Sequence, residues 1–573
     1  MTRKLIKNWP ILLILLLSFW AIKPLFHAGF FPMHDDEQIA RLYELNQALS
    51  TGQIPPRWVA DLGFGYGYPF YNFYPPLVYY LGEIFYLLGF SLITSTKIVM
   101  ILGFFLSGFF IYLLAKEFFG KVGGVVAAIF YLYAPYHALD LYVRGALAEF
   151  YSFVFLPAIF WSTFKLLKEK KKKWLVLNSL FLSFLLLSHN LIAIIFLPFY
   201  FVFFGLLLFF EKNKKKTILI FTTSFLLFLG LTAYFWLPAL WEKKYTLVDE
   251  ILTKELADYK LHFVYLRQFW HSPWGYGGSI FGLEDGISFE VGKPHLIFSF
   301  LAGTLGIFLL WRKEKKKSGL LLTSYFLLFT FSLFMASFHS QFIWDRIKPL
   351  WYLQFPWRFL IFTALFSSLL ATGVADYFLS LLKKNLIAKL VIIFLILFSV
   401  ILLNKNYFQP AGYREVIDRD YITEEELKWK VSKMSFEYLP KGVATKYSDI
   451  KTTQIDLEKE EIKKSSFEIL RGDLEVTEVK DWPHKKIFKT KGEGELRVNV
   501  FNFPGWKVFL DQKEVEIKET GKLKLITFEI PKGEHRIEIV LQDTPVRQLA
   551  NIISLGSIFS LLIGSIYVKK IFS

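Results

Sequence analysis

The chain has 573 residues, of which 54% are hydrophobic and 19% aromatic, and it contains no cysteine. This composition excludes an ordinary soluble protein, and the lack of cysteine excludes disulfides and thiolate chemistry. The formal net charge is +17, yet residues 404–548 carry 27 Lys+Arg against 27 Asp+Glu, so the excess lies among the apolar segments. A nucleic-acid-binding protein would concentrate its charge on a folded basic face, whereas short basic tracts between apolar runs are typical of cytoplasmic loops.

The basic tracts predict the topology. Arg3, Lys4 and Lys7 precede the first apolar run, 9–26, which we expect to be a retained anchor with a cytoplasmic N-terminus. Further tracts follow at 116–121, 168–173, 212–216, 312–317, 383–384 and 569–570. If all of them are cytoplasmic, each pair is separated by an even number of crossings, and the chain is a multi-pass protein of the plasma membrane.

About twelve spanning helices satisfy this rule, in a transmembrane domain over 1–403 and a final segment over 549–573 with a cytoplasmic tail. They are predicted near 9–26, 98–115, 122–139, 147–165, twice within 174–210, 217–240, 295–311, 319–338, 357–381, 386–403 and 549–568. The apolar stretch Leu77 to Phe90 is too short to cross a bilayer. We therefore expect a re-entrant or interfacial helix there, continuous with the first outer loop, 28–76.

The polar motifs are predicted to share the extracytoplasmic face. The first outer loop contains His34-Asp35-Asp36-Glu37, and the other motifs are Tyr136-His137 with Asp140, Arg144 and Glu149; Ser188-His189-Asn190; His271 to Gly278, with Trp274 and Tyr276; and Gln354 to Arg358, with Trp357. Few charges lie at mid-depth in the predicted spans, whereas ion-coupled transporters usually bury titratable groups there. This distribution favours chemistry or binding at the outer interface.

Residues 404–548 predict a separate extracytoplasmic domain. Short alternating patterns, as in Glu495 to Phe503 and Leu523 to Ile530, indicate half-buried strands. The pattern over 466–542 predicts an antiparallel β-sandwich of seven or eight strands, after a helical or irregular lead-in at 411–440. With no catalytic constellation in this domain, we expect it to be a structural or glycan-contacting lid.

The paired acids after the first helix, followed by the Pro75-Pro76 entry into an apolar segment, resemble the GT-C superfamily of glycosyltransferases. More closely, the chain resembles the bacterial membrane proteins catalogued as 6-pyruvoyl-tetrahydropterin-synthase-related and the YfhO-like family. The supporting motifs are Arg144-Gly145 with Glu149, Ser188-His189-Asn190, Ser272 to Gly278, Phe355-Pro356-Trp357-Arg358, Glu437-Tyr438-Leu439-Pro440 and Phe503-Pro504-Gly505-Trp506-Lys507. The pterin-synthase label implies no chemistry here, because such an enzyme needs a histidine zinc site and the ten histidines include no His-x-His pair.

The GT-C resemblance implies an inverting sugar transfer from a polyprenyl-phosphate donor to an extracytoplasmic glycan, lipid or protein acceptor. A carboxylate of the first outer loop would be the general base, which corresponds to Asp35 or Asp36. Arg358, which opens a helix, and Arg144 are the candidates to bind the donor phosphate. The remaining candidate cavity residues are His34, Glu37, His137, Glu149, His189, Asn190, His271, Trp274, Tyr276 and Trp357.

Each assignment has a structural alternative. Asp35 could cap a helix starting near Asp36, with Gln38 completing a capping box. Arg144 and Glu149 could pair only with each other, and the outer tryptophans could form an interfacial belt. A divalent metal (Mg or Mn) at Asp35 and Glu37 with His34 stays open, and no other cofactor is required. The alternative function is a non-catalytic transport or assembly protein for cell-envelope polysaccharide or lipid.

Overall fold

A computed structural model describes residues 2–312, 315–382, 385–447 and 452–563. The predicted basic pairs Lys383-Lys384 and Lys569-Lys570 lie outside these ranges. The helices of the first half are α1 Thr2–Leu17, α2 Phe19–Ile22, α3 Gln38–Ser50, α4 Phe70–Phe73, α5 Leu77–Leu87, α6 Leu92–Leu132, α7 Pro135–Ala138, α8 Leu147–Phe150, α9 Ser152–Glu169, α10 Lys172–Ser188, α11 Asn190–Phe209 and α12 Lys214–Leu231. Those of the second half are α13 Ala233–Glu242, α14 Val248–Ile251, α15 Leu266–Trp270, α16 Lys293–Trp311, α17 Lys316–Ala336, α18 Gln341–Trp344, α19 Leu360–Leu381, α20 Leu386–Asn404, α21 Ser432–Met434 and α22 Pro545–Ile563.

Eight helical segments in the described ranges are long and apolar enough to cross a membrane, and two bent pairs raise the number to ten. The bent pairs are Asn8–Leu17 with Phe19–Phe26, at 45°, and Lys214–Leu231 with Ala233–Tyr245, at 65°. With α6 counted as two spans and the 17-residue α10 added, the segments correspond to the twelve predicted ones. The mostly helical membrane fold is therefore confirmed.

The long helix α6 turns back on itself at Gly120. This residue has φ 69°, a conformation that glycine adopts without the steric cost of a side chain. A methyl group on Gly108 would lie 2.9 Å from Leu132, and one on Gly124 would lie 2.6 Å from Tyr112. Residues on either side of Gly120 thus pack together, as the basic turn predicted between two spans requires.

The short helix α5 has 11 residues and is about 16 Å long, half the depth of a hydrocarbon core. It packs beside α3 of the first outer loop, and Glu83 of α5 accepts a hydrogen bond from the Asn46 side chain of α3 at 2.8 Å. The expectation that this segment does not span the bilayer agrees with its length.

The C-terminal part forms the predicted antiparallel β-domain. Its strands are β1 Thr445–Tyr447, β2 Thr453–Ile455, β3 Phe467–Trp482, β4 Lys485–Phe501, β5 Trp506–Leu510, β6 Lys513–Val515, β7 Lys518–Thr520 and β8 Leu525–Leu541. Strands β1 and β2 pair separately, and the main sheet has the order β3-β4-β8-β5-β6, with β7 also on β8. The main part of the domain is thus one continuous sheet, whereas an ordinary sandwich consists of two sheets packed on each other.

This sheet folds over itself along a row of glycines. Gly472 pairs with Gly494, and Gly492 pairs with Gly533, in the middle of the three long strands. Phe488 of β4 pairs with Glu478 of β3. If β3 were straight, Glu478 would lie roughly 36 Å from Phe467, the first residue of that strand. The rings of Phe467 and Phe488 are nevertheless 5.6 Å apart, so the two halves of the sheet face each other as in a sandwich.

The segment before the β-domain caps the first helix of the α6 hairpin. Asp418 accepts hydrogen bonds from the backbone N–H groups of Leu92 and Ile93 at 2.6 and 3.0 Å. Replacing Asp418 with alanine is expected to lower the free energy of unfolding by about 1 kcal/mol, the usual contribution of a helix N-cap. Thermal unfolding of the purified chain measures this change, with the exposed Glu415→Gln as control; an unchanged melting temperature would contradict the capping role.

A buried ionic network joins the first outer loop to α22. Glu242 accepts hydrogen bonds from Arg547 at 2.9 and 3.0 Å and from Asn72 at 2.8 Å. Arg57 donates to Asn72 at 2.8 Å and to Asn551 of α22 at 3.1 Å. The side chains of Arg547 and Glu242 are 1% and 2% exposed, so this ion pair is buried.

Candidate active site

A cavity of about 660 Å³ lies where the first outer loop meets the ends of several membrane helices. It is bounded by α8, the start of α11, the 3₁₀ turn Pro356–Phe359 ahead of α19, and residues 434–438 before the β-domain. The predicted site residues that line it are His34, Asp35, Glu37, Arg144, Glu149, His189, Asn190, Trp357 and Arg358. The packing thus brings together polar groups from four separate parts of the chain.

Backbone hydrogen bonds hold the acidic loop, residues 34–37, against the turn after α7. The N–H groups of His34 and Asp35 donate to the carbonyls of Val143 and Arg144 at 3.0 and 2.8 Å. The Gln38 side chain donates to the Gly145 carbonyl at 3.0 Å. Gly145 has φ 66°, and a methyl group there would run into Met33, so only glycine allows this approach.

The helix after the acids begins later than the capping alternative expects. Helix α3 starts at Gln38, with Glu37 at the N-cap position and no side-chain capping bond. The Gln38 amide reaches the Asp35 backbone carbonyl, at 3.2 Å, rather than closing a capping box. Asp35 therefore precedes the helix and does not cap it, because its backbone is tied to the neighbouring turn.

The three consecutive acids have different surroundings. Asp36 pairs with Arg414 at 2.5 Å, and burial raises its pKa to about 6 although Arg414 lowers it. Glu37 pairs with Arg41 at 2.6 Å. Burial raises the pKa of Glu37 to about 7, although the charge of Arg41 lowers it. The half-buried Asp35 lines the cavity, and its carboxylate forms no ion pair with any residue of the described ranges.

Glu149 is the hub of the opposite wall. Its carboxylate is fully buried: Oε1 accepts a hydrogen bond from the Tyr136 hydroxyl at 2.6 Å, and Oε2 forms ion pairs with Arg144 and Arg358, each at 3.0 Å. His189 lies 3.9 Å away. A buried charge is costly when it has no opposite charge beside it, so Glu149 holds both guanidinium groups in the cavity wall.

The two arginines differ in how far they are neutralised. Arg144 pairs with Asp140 as well as Glu149, and its guanidinium lies 4.6 Å from the centre of the Trp357 ring. Arg358 donates from Nη1 to the Leu353 carbonyl at 2.7 Å and has Glu149 as its one carboxylate partner in the described ranges. Arg358 is therefore the less neutralised cation.

Several cavity residues carried no predicted site role. Arg41, Tyr74, His262, Gln354, Ser435, Glu437 and Tyr438 also line the cavity. Glu37 and Arg41 have i, i+4 spacing, at which opposite charges on a helix can pair. Their ion pair could therefore have been predicted from the sequence. Burial raises the pKa of Glu437, and only tertiary packing brings this residue from the far end of the chain.

Five predicted site residues lie outside the cavity lining. Asp36 faces Arg414 instead, and His137 is fully buried with its ring stacked on Phe153 at 4.1 Å. The others contact the α16–α20 side of the molecule: His271 lies 3.3 Å from Glu290, the Trp274 ring stacks on Tyr407 at 4.8 Å, and the Tyr276 hydroxyl donates to the Gln409 carbonyl at 3.0 Å. The Tyr276 carbonyl lies 3.0 Å from Nε2 of His34.

The residues considered for a divalent metal do not assemble a donor set. Glu37 is bonded to Arg41, and Nε2 of His34 contacts the Tyr276 carbonyl. Within the described ranges, no three or more His, Asp or Glu side chains cluster in a way that could hold a metal ion.

Comparison with known proteins identifies related chains. Residues 71–408 match the family described as "6-pyruvoyl-tetrahydropterin synthase related domain; membrane protein". A protein of Lactococcus lactis subsp. cremoris (strain MG1363), described as uncharacterized, is 26% identical over 239 residues, which are 40% of this chain and 39% of the relative. The chain thus spans well under half the length of this relative.

Two crystal structures of the Archaeoglobus fulgidus oligosaccharyltransferase also align with the chain. One, tethered to an acceptor peptide with the NVT sequon, has 15% identity and a TM-score of 0.42, over 72% of this chain and 56% of that one. The other, in complex with Zn and sulfate, has 16% identity and a TM-score of 0.37, over 70% and 53%. In both cases little more than half of the solved chain is covered.

The family match begins at Tyr71, after the acidic loop, and ends at Phe408, before the β-domain. It includes Arg144, Glu149, His189 and Arg358 but not Asp35. Because it covers more than half of the chain, the expected family is confirmed: the protein belongs to the membrane proteins described as 6-pyruvoyl-tetrahydropterin synthase related.

Proposed function

We propose that this protein transfers a sugar from a polyprenyl-phosphate donor to an extracytoplasmic acceptor in the cavity. The observation that supports this most is that one cavity at the ends of membrane helices contains both Asp35, a carboxylate with no ion pair in the described ranges, and Arg358, an incompletely neutralised guanidinium. The ends of spanning helices lie near a membrane surface, where a lipid-anchored phosphate and a polar acceptor can meet.

In the proposed reaction, Asp35 accepts the proton of an acceptor hydroxyl as general base. The acceptor oxygen attacks the anomeric carbon and forms the new C–O bond. The bond between that carbon and the phosphate oxygen breaks, and polyprenyl phosphate leaves with the electron pair. Attack opposite the leaving group inverts the anomeric configuration. Asp35 is favoured over Asp36 because Asp36 is engaged by Arg414.

Arg358 binds the leaving phosphate in this proposal. A guanidinium matches phosphate oxygens through paired N–H donors, and Glu149 holds Nε of Arg358 in position at 3.0 Å. Arg144 is enclosed by Asp140, Glu149 and the Trp357 ring, so it acts as a positioning residue for this wall. Trp357 stacks on Phe355 at 4.7 Å and supports Arg144 rather than a sugar ring.

Transfer activity itself is the first test. Membranes containing the full chain are supplied with a panel of labelled polyprenyl-phosphate sugars, and label is followed into lipid, glycan and protein fractions. Transfer from at least one donor, lost when the chain is omitted, is the expected result. If no donor in the panel is used, the enzymatic proposal fails, and a non-catalytic role in envelope assembly takes its place.

If Arg358 binds the donor phosphate, substitutions at this position should lower activity by an amount that depends on the charge and shape of the new side chain. Arg358→Gln is expected to lower kcat/KM for the donor by roughly 10- to 100-fold, the effect of losing charge-assisted hydrogen bonds. Arg358→Lys is expected to recover only part of this, because an ammonium lacks the paired donors. Steady-state kinetics with varied donor measure the change, with the exposed Arg267→Gln as control. Equal donor use by wild type and Arg358→Gln would contradict phosphate binding at this residue.

A further inference from the structure

A second cavity, of about 700 Å³, lies at the opposite end of the same helices, and we call it the basal groove. Helix α9 follows Glu149 of the candidate active site and carries Lys168 of the basal groove in its last turn. Nineteen residues of helix separate these positions by about 28 Å, close to the thickness of a hydrocarbon core. The same separation relates Arg358 to Tyr377 along α19.

The walls of the basal groove are apolar and largely aromatic. They are formed by Phe118, Phe119, Phe164, Phe203, Phe210 and leucines of α11, α16 and α17. A groove with such walls, within a membrane helix bundle, is suited to the hydrocarbon chain of a lipid. Its volume lies within the range of sites that bind small molecules specifically.

The mouth of the groove is cationic. Lys315, Lys317 and Ser318 line it at the first turn of α17, a helix of 21 residues. The first N–H groups of a helix lack intrahelical acceptors and, with the helix dipole, favour an anion. The basal groove thus combines a helix N-terminus, two lysines and an apolar tail site.

The two lysines at the mouth contact aromatic rings. Lys315 lies 5.3 Å from the Tyr377 ring centre and Lys317 lies 5.7 Å from that of Phe210. Neither forms an ion pair with another residue of the described ranges. The other charges that line the groove are already engaged, since Lys168 lies 3.3 Å from Glu117 and Glu211 lies 3.0 Å from Lys170.

Asp376 is the remaining carboxylate of the groove, and it lies near Lys315, whose charge acts on it. A carboxylate opposes a second phosphate but accepts hydrogen bonds from hydroxyl groups. Ser380, one turn further along α19, adds another hydroxyl to the same wall. This chemistry suits a single phosphate followed by a hydroxylated headgroup.

We propose that the basal groove binds one anionic glycerophospholipid, of the phosphatidylglycerol type. Its phosphate contacts Lys315, Lys317 and the start of α17, its glycerol hydroxyls contact Asp376, and an acyl chain lies along the phenylalanines. Basic pockets between helices at the cytoplasmic end of a bundle commonly bind lipid headgroups. This site is independent of the sugar-transfer proposal, because it lies at the other membrane surface.

Lipid binding is tested on the full chain in detergent by titration with phosphatidylglycerol, followed by native mass spectrometry. The double variant Lys315→Gln, Lys317→Gln is expected to bind roughly 30-fold more weakly, since each lysine near an anionic lipid contributes about a factor of five. A second variant, Leu206→Trp, fills the tail site and is expected to weaken binding at least tenfold while keeping the charges. Thermal unfolding checks that each variant is folded.

The matched control is Lys214→Gln with Lys215→Gln, which removes two exposed lysines at the start of α12, outside the groove. Wild-type affinity in this control, together with at least tenfold weaker binding of phosphatidylethanolamine by the wild type, supports the site. Equal losses in both double variants would show diffuse electrostatic attraction and overturn it. Displacement of phosphatidylglycerol by polyprenyl phosphate at equal concentration would overturn the lipid assignment in favour of a carrier site.

Discussion

Asp35→Asn is expected to reduce sugar transfer by roughly 100- to 10,000-fold, the usual contribution of a general base, with the fold unchanged. The amide keeps the shape of the side chain but cannot accept the proton of the acceptor hydroxyl. The half-buried Asp35 carboxylate forms no ion pair within the described ranges, so its replacement removes no stabilising contact of that kind. Initial rates with saturating donor and acceptor measure the loss, since a base acts mainly on kcat.

Two companion variants make this result specific. Asp36→Asn removes the partner of Arg414 and is expected to cost at most about tenfold in rate, because its carboxylate is already engaged. Glu415→Gln, an exposed change nearby, is expected to match wild type. If Asp36→Asn is the inactive variant and Asp35→Asn transfers normally, the base is Asp36 and the assignment is reversed.

Glu149→Gln is expected to lower the free energy of unfolding by about 3–5 kcal/mol, the largest stability effect that we predict. The variant leaves Arg144 and Arg358 in a buried wall with Asp140 as the remaining carboxylate. The glutamine carbonyl oxygen can accept hydrogen bonds, but it carries no charge that would neutralise two guanidinium groups. Reversible denaturation of the purified protein in mixed micelles measures the change.

The matched control for Glu149 is Glu425→Gln, which breaks an exposed pair with Lys459. Exposed pairs contribute about 1 kcal/mol or less, so this variant should unfold close to wild type. A loss below about 1 kcal/mol for Glu149→Gln would show that the two arginines find other partners, and the hub role would be withdrawn.

The membrane helices were predictable because their signal is local. About twenty consecutive apolar residues define each span, and basic clusters at its ends define the parity of crossings. The turn of α6 at Gly120 follows from the same signal, since Lys116 and Lys121 predicted a return there. The bend between α12 and α13 did not, because hydropathy is nearly uniform across Thr232.

The cavity could be predicted only in part, because its wall combines local and distant contributions. Four of its residues lie at helix ends on one predicted face: Asp35, Arg144, Glu149 and Arg358. The predicted topology alone places them at the same membrane surface. Glu437 joins them through the packing of a segment some 400 residues later, which no local pattern encodes.

Aromatic residues were the poorest guide to the site. Trp274 and Tyr276 lie in a glycine-rich outer loop that favours an accessible surface, yet their rings pack towards Tyr407 and Gln409. Large rings gain most free energy from burial against neighbouring groups, and the residues after α20 supply these. Their position on the outer face therefore did not identify them as cavity residues.

The network of Arg57, Glu242 and Arg547 constrains the order in which the protein matures during biosynthesis. Arg57 and Glu242 are translated before Arg547, which lies in the first turn of α22. Until α22 is inserted, Glu242 lacks its guanidinium partner. The buried network that joins the first outer loop to α22 is then incomplete. Truncation before Arg547 is thus expected to leave Glu242 without its ion-pair partner and to loosen the contact between the first outer loop and α22.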